Sequence, residues 1–173
     1  MSGPRKPPRT EAEAYDLALR ALARRSYSAF QLEQYLQQRG APPELARQVV
    51  RRLLRERLLD DARFARQFAF ERATGRQQGH WRILHELRRR GVAPAHIQAA
   101  LSEVFSETDE RELLHRRIER WLRQRGHARL EPRHVASLQR ALLRAGFDAQ
   151  RIRDALDAFD LPVKLEAPEP TEE

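Results

Sequence analysis

Leu58-Leu59-Asp60-Asp61-Ala62-Arg63-Phe64-Ala65-Arg66-Gln67-Phe68 joins a helix start to an apolar helical face, and the remainder of the chain repeats its pattern. Asp60 is placed to be the N-cap, its carboxylate accepting from a first-turn amide that has no intrahelical partner. Asp61 adds negative charge at the positive end of the helix dipole. Leu59 and Phe64 then fall at the two ends of a hydrophobic staple. Phe64 and Phe68, four residues apart, share a face with Ala65 and Ala69 and predict tight packing into a core. The paired acids do not form an acid–base couple, because neighbours on a helix point about 100° apart.

The chain repeats itself around its glycines. Gly40, Gly91 and Gly146 are separated by 51 and 55 residues. Eight before each stand Leu32, Ile83 and Leu138, and four before stand Leu36, Leu87 and Leu142. Six after stand Ala46, Ile97 and Ile152; ten after, Val50, Leu101 and Leu156; thirteen after, Leu53, Val104 and Phe159. Apolar columns in register on both sides of a glycine suited to the left-handed helix C-terminus mark a repeat. Pro43 and Pro94 take the same slot three residues on, suited to a first helical turn, while in the third repeat Asp148 supplies an N-cap instead.

Each repeat predicts three helices. Thr10 with Glu13 and Ser28 with Gln31 make capping boxes that open the first two, and Tyr15, Ala18, Leu19 and Leu22 recur at helical spacing. Leu45, Ala46, Val49, Val50, Leu53 and Leu54 cover one side of the third. The second repeat breaks at Gly75-Arg76-Gln77-Gln78-Gly79 and resumes through Trp81, Ile83, Leu84 and Leu87. In the third, Leu113, Leu114, Ile118, Trp121 and Leu122 form the apolar set, with a loop at Gly126 to Pro132. No segment alternates with period two, and asparagine, the usual partner of glycine in tight hairpins, is absent. The fold class expected is all-α, three tandem three-helix repeats forming an elongated, gently curved array. The boundaries are 10–58, 59–105 and 106–160, with a disordered tail at 1–9, rich in proline, and an acidic disordered tail at 161–173.

Composition narrows function. There is no cysteine, which removes disulfides and thiolate chemistry. No apolar run reaches bilayer length and no signal peptide is visible, so a soluble cytoplasmic protein without membrane partner is expected. The formal net charge is +8; five acids against Lys164 from Asp160 onward leave −4 there and +12 on residues 1–159. Such a body suggests an anionic partner. Of the basic residues only Lys6 and Lys164 are lysine.

The sequence carries no catalytic or metal-binding motif. His80 and His85, and His127 and His134, lack metal-ligand spacing, so no metal or other cofactor is expected. Phosphate-cradling and nucleophile-elbow glycine motifs are missing, as is a nucleophile supported by a base. An enzyme acting on a small-molecule substrate is therefore not expected. What remains are arginine stripes: Arg47, Arg51 and Arg55 along one face, Arg88, Arg89 and Arg90 at a helix C-terminus, and Arg116, Arg120 and Arg123 along another. Singly each reads as a solvated polar position; together they favour an anion. Trp81 and Trp121, among leucines at helical spacing, are expected in the core in preference to stacking on bases.

The order Leu59-Asp60-Asp61-x-Arg63-Phe64-Ala65, then Gly79, then Ile83-x-x-Glu86-Leu87-x-x-x-Gly91-Val92, resembles the RecX family, regulatory proteins that act on the RecA recombinase. Tyr15-x-x-Ala18-Leu19, Ser28-x-x-Gln31-Leu32-x-x-x-Leu36-x-x-x-Gly40 and Leu142-Leu143-Arg144-Ala145-Gly146-Phe147 also fit, so the resemblance spans about Ala14 to Leu156. It implies an inhibitor that binds the helical groove of the RecA nucleoprotein filament on single-stranded DNA and suppresses strand exchange, ATP hydrolysis and coprotease activity. It thus implies a place in homologous recombination, DNA repair and the SOS response. Asp60, Asp61, Arg63, Phe64, Gly79, Leu87 and Gly91 are then structural signature positions, and the arginine stripes the expected contacts. The charge alone supports a general DNA-binding or nucleoid-associated protein independent of RecA. Nothing in the sequence calls for an oligomer, and a monomer is expected.

Overall fold

A computed structural model describes residues 7–125 and 130–161, and among these every regular element is helical. The helices are α1 (Glu11–Leu22), α2 (Ala29–Gln38), α3 (Pro43–Arg55), α4 (Asp61–Phe70), α5 (His80–Arg88), α6 (Pro94–Glu107), α7 (Glu110–Arg125), α8 (Pro132–Arg144) and α9 (Ala149–Ala158). A π-helical turn, Glu71–Gly75, follows α4 directly. Both predicted capping boxes are present, Thr10 with Glu13 and Ser28 with Gln31. Asp148 caps α9 through the amides of Gln150 and Arg151.

The glycine register has a common physical cause. Gly40, Gly91 and Gly146 adopt φ of 91°, 70° and 90°, in the left-handed region that side chains with a Cβ resist. At each, the glycine amide reaches back three residues, to the carbonyls of Gln37, Arg88 and Leu143. The next amide, of Ala41, Val92 or Phe147, reaches the carbonyl of Leu36, Leu87 or Leu142. This is the Schellman pattern, and its apolar contact partners are buried on both sides. Every residue of the five apolar columns is buried except Phe159, which lies half-buried edge-on to His115 with ring centroids 5.4 Å apart.

By packing, the chain divides into two compact units, one of residues up to Ala69 with Leu84–Glu103, the other of Phe70–Ile83 with the chain from Val104 onward. The second expected repeat is thus shared between them. In the first unit α1 and α2 pack on α3, around Ala14, Ala18, Leu32, Leu36, Ala46, Val49 and Leu53. Tyr15, expected on the core face, sits at its edge, donating its hydroxyl to Glu56 under the Arg52 guanidinium, 4.2 Å from the ring. That bond and Arg52 hold the Glu56 carboxyl below its ordinary range. In the second unit α7, α8 and α9 pack together, burying Leu113, Leu114, Ile118, Leu138, Leu142, Ile152 and Leu156.

Three expectations change at the margins. Residues 7–9 fall in the expected disordered tail, yet Pro8 is buried, Pro7 lies against Gly40, and the Arg9 amide donates to Glu13 at 2.8 Å. Residues 1–6 lie outside the described set. Leu161, at the start of the expected acidic tail, is buried, its amide closing α9 on the Leu156 carbonyl; residues 162–173 lie outside the described set. Of the expected loop at Gly126 to Pro132, residues 126–129 likewise lie outside it.

Candidate interaction surface

The signature positions resolve into two helix-end junctions built on one plan. In the first unit Asp60 caps its own helix, accepting from the Arg63 amide at 2.9 Å. That bond holds its carboxyl below the ordinary value. Asp61, one residue on, turns away and accepts from the Ala29 amide at 2.7 Å, satisfying the first turn of α2. Ser28, fully buried, donates its hydroxyl to the Arg90 carbonyl at the end of α5, and a Cβ on Gly91 would lie 2.4 Å from Phe30. In the second unit Asp109 and Glu110 play the same parts. Asp109 accepts from the Arg111 amide, while Glu110, buried, accepts from the His80 amide at 2.9 Å and pairs with Arg151. The amides of Gly79 and Trp81 donate to the carbonyls of Ala145 and Gly146. There a Cβ on Gly79 would meet the Gly146 backbone at 2.4 Å.

Phe64 and Leu87 are buried, as a core role requires. Arg63 differs from its fellow signature residues: its backbone serves the cap, but its guanidinium is exposed and forms no ion pair or hydrogen bond among the described residues. Asp109-Glu110 could have been found from the sequence, since the pair stands 49 residues after Asp60-Asp61. What hid it was the absence of the Leu-Asp-Asp-x-Arg-Phe context.

The arginine stripes sort by environment. Arg47, Arg51 and Arg55 are exposed along α3, Arg47 pairing with Glu44. Arg88 and Arg89 are exposed at the end of α5. Arg90 differs from its two neighbours: 24% of its side chain is exposed, the guanidinium donating to the Glu86 carbonyl and lying 4.3 Å from the Phe68 ring centroid. It joins the end of α5 to the Phe68 ring of α4 and offers less of its charge to a partner than Arg88 and Arg89 do. On α7, Arg116, Arg120 and Arg123 are exposed, with Glu112 and Glu119 pairing to Arg116 and Arg123. Such exposed pairs contribute less than about 1 kcal/mol and exchange readily for another anion.

One grouping escapes the stripes because its members come from distant segments. Arg76, Arg82, Arg117 and Arg144 line a groove of about 450 Å3 in the second unit, with no carboxylate among the described residues of its wall. Arg117 is half-buried, its Nη1 donating to the carbonyls of Arg76 and Gln77 at 3.1 and 3.0 Å. Burial, then the neighbouring Arg120 charge, pull its pKa below the ordinary arginine value. The tryptophans also depart from expectation. Trp81 is 52% exposed rather than in the core, and Trp121 is half-buried beneath Arg125. Trp81 sits in the first turn of α5, whose inward positions belong to Ile83 and Leu87.

No group of three or more His, Cys, Asp or Glu residues that could hold a metal occurs among the described residues. No described helix is long and apolar enough to cross a membrane. Fold and surface together define an all-helical protein of tandem three-helix repeats carrying an arginine-rich exterior. The family model described as RecX, first three-helix domain, matches residues 14–53, and that described as RecX, second three-helix domain, matches residues 60–101. A protein named regulatory protein RecX from Treponema pallidum is 40% identical over 144 residues, covering 83% of this chain and 84% of the relative. Its namesake in Trichlorobacter lovleyi is 34% identical over 160 residues, covering 91% and 99%. The crystal structure of RecX from Lactobacillus salivarius shares the fold, with a TM-score of 0.73 at 17% identity over 88% of this chain and 97% of that one. The chain belongs to the RecX family.

Proposed function

We propose that this regulatory protein binds the RecA filament assembled on single-stranded DNA, lying in its helical groove, and inhibits strand exchange, ATP hydrolysis and coprotease activity in the cytoplasm. The observation that carries the reading is identity of 34–40% with proteins named regulatory protein RecX over most of both chains. The surface chemistry supports it. Exposed Arg47, Arg51 and Arg55 on α3 are accompanied by Leu54 and Leu58, 39% and 52% exposed, a mixture of charge and apolar area suited to a protein partner. Arg63, Arg88, Arg89, Arg116, Arg120 and Arg123 are further candidate contacts, and no step in this function needs a catalytic group. In this reading the repeats, taken as 10–58, 59–105 and 106–160, act as binding modules of a monomer.

The test is the DNA-dependent ATPase of RecA with purified protein added at substoichiometric amounts. A fall in rate is expected; an unchanged rate at equimolar protein would refute the proposal. The excess of +12 on residues 1–159 favours a second reading, a DNA-binding protein indifferent to RecA. Co-sedimentation with RecA filaments and with bare DNA in the same salt separates the two, since the second reading predicts equal recovery on both.

A further inference from the structure

The arginine groove of the second unit is a charge arrangement that the fold maintains at some cost. Arg76 follows the π-helical turn, Arg82 lies in α5, Arg117 in α7 and Arg144 closes α8. Arg76, Arg117 and Arg144 bring three guanidiniums to one depression beside Arg82, and no carboxylate is among the described residues that line it. Helix ends do not supply the missing negative charge either. The carbonyls of Ala145 and Gly146, just past the end of α8, are taken by the Gly79 and Trp81 amides at the start of α5, so the C-terminus of one helix is met by the N-terminus of the other. Arg117 is held by two backbone carbonyls through Nη1 alone, which leaves its Nη2 and Nε hydrogens for a ligand. An anion with oxygens to accept from several guanidiniums satisfies this set.

We propose that the groove binds the backbone phosphates of a single-stranded nucleic acid, with one base of the strand stacking on Trp81. Guanidiniums would accept a carboxylate-rich peptide as well; the indole decides between them. Trp81 is not itself a lining residue, but it directly precedes Arg82, which is, and it exposes half its surface with the His80 ring edge-on to it; an exposed indole one residue from a cationic groove is what an unpaired base stacks on. In a duplex both faces of each base are already stacked, so the strand is single. The inference rests on the nucleic-acid side of the function proposed above and assigns it a site that the sequence stripes do not contain.

The test is direct titration of the protein with a short oligothymidylate in the absence of RecA. In a Trp121→Phe background the only indole is Trp81, and saturable quenching of its fluorescence is expected, weakening as salt rises. Arg76→Glu with Arg144→Glu should weaken binding about tenfold or more and lower the salt slope by about 0.7 for each phosphate no longer neutralised. Trp81→Leu, read by anisotropy of a labelled strand, should weaken it about five- to hundredfold, the range expected when one base no longer stacks. Arg20→Glu with Arg24→Glu, the same charge change on the first unit, should stay within about twofold of the parent. Neither Arg76 nor Arg144 has an ion pair among the described residues; should the double variant still fail by circular dichroism, the single Arg76→Gln and Arg144→Gln variants give the same reading. Unchanged affinity in folded groove variants overturns the proposal, as does displacement of the strand by polyglutamate at equal charge. Both results are independent of RecA, so a chain that binds at the groove yet leaves RecA ATPase untouched refutes the regulatory reading alone.

Discussion

A carboxylate satisfies only the amides it reaches, and Asp60 and Asp61, though adjacent, reach different helices. Asp60 serves α4 itself, through the Arg63 amide. Asp60→Ala should therefore cost about 1 kcal/mol, the usual worth of an N-cap. The pH dependence has a definite sign. The Arg63 amide lowers the folded pKa of Asp60 below its ordinary 3.8, so its contribution is present above that value and lost as pH falls through the lowered one. Urea denaturation should accordingly find wild type and Asp60→Ala converging below about pH 4, the converse of what a raised pKa would give. Asp61 acts across elements, on the Ala29 amide at 2.7 Å. Asp61→Ala leaves a partly buried donor unpaired and should cost about 1–3 kcal/mol, with faster hydrogen exchange at Ala29. Asp61→Asn, which keeps an acceptor oxygen, should recover part of the loss. Equal exchange at Ala29 in wild type and Asp61→Ala would show that the cap is not made in solution.

At the scale of the element, the three glycines that end α2, α5 and α8 share a conformation but not their surroundings. A Cβ on Gly146 would stand 2.2 Å from the Arg82 backbone nitrogen, which cannot swing aside as a side chain can. Gly146→Ala therefore adds a backbone collision to the left-handed penalty of about 1–2 kcal/mol, and its loss in thermal denaturation should exceed that of a positive-φ substitution alone. Gly75, with nothing within 4 Å of its would-be Cβ and no positive φ, is the contrast: Gly75→Ala should be neutral or stabilising by up to about 1 kcal/mol. These helix ends are legible in the sequence because a left-handed C-terminus and a buried column four residues earlier each restrict the residue type. The junctions between helices are not. Ser28 reaching Arg90, or Asp61 reaching Ala29, joins residues 62 and 32 positions apart, and no periodicity records which amide a polar side chain will meet. Arg90 is hidden for the same reason, since three consecutive arginines at a helix end look alike until one finds the Phe68 face. The π-helical turn at Glu71–Gly75 also leaves no trace in the sequence, because its residues have no distinctive composition.

For the whole molecule the deciding quantity is where charge remains free to meet a partner. The +12 carried by residues 1–159 favours long-range attraction to any polyanion, so DNA binding alone would say little about regulation unless its salt dependence is measured beside an effect on RecA. The α3 stripe allows that separation. Arg51 and Arg55 are exposed without an ion pair among the described residues, and Arg47 holds only Glu44, a surface pair worth about 0.3–0.5 kcal/mol. Glutamate at all three positions should then leave the unfolding free energy from urea denaturation within about 1 kcal/mol of wild type, because nothing buried is disturbed. If α3 faces the filament, the same variant should need several-fold more protein to halve the RecA ATPase. Its affinity for bare oligothymidylate should fall only by the long-range share of the removed charge, which high salt screens out. Inhibition retained at full strength would move the interface off α3. Inhibition and bare-DNA affinity falling in proportion at every salt concentration would mean that α3 acts through DNA, and that contact with the recombinase lies elsewhere on the chain.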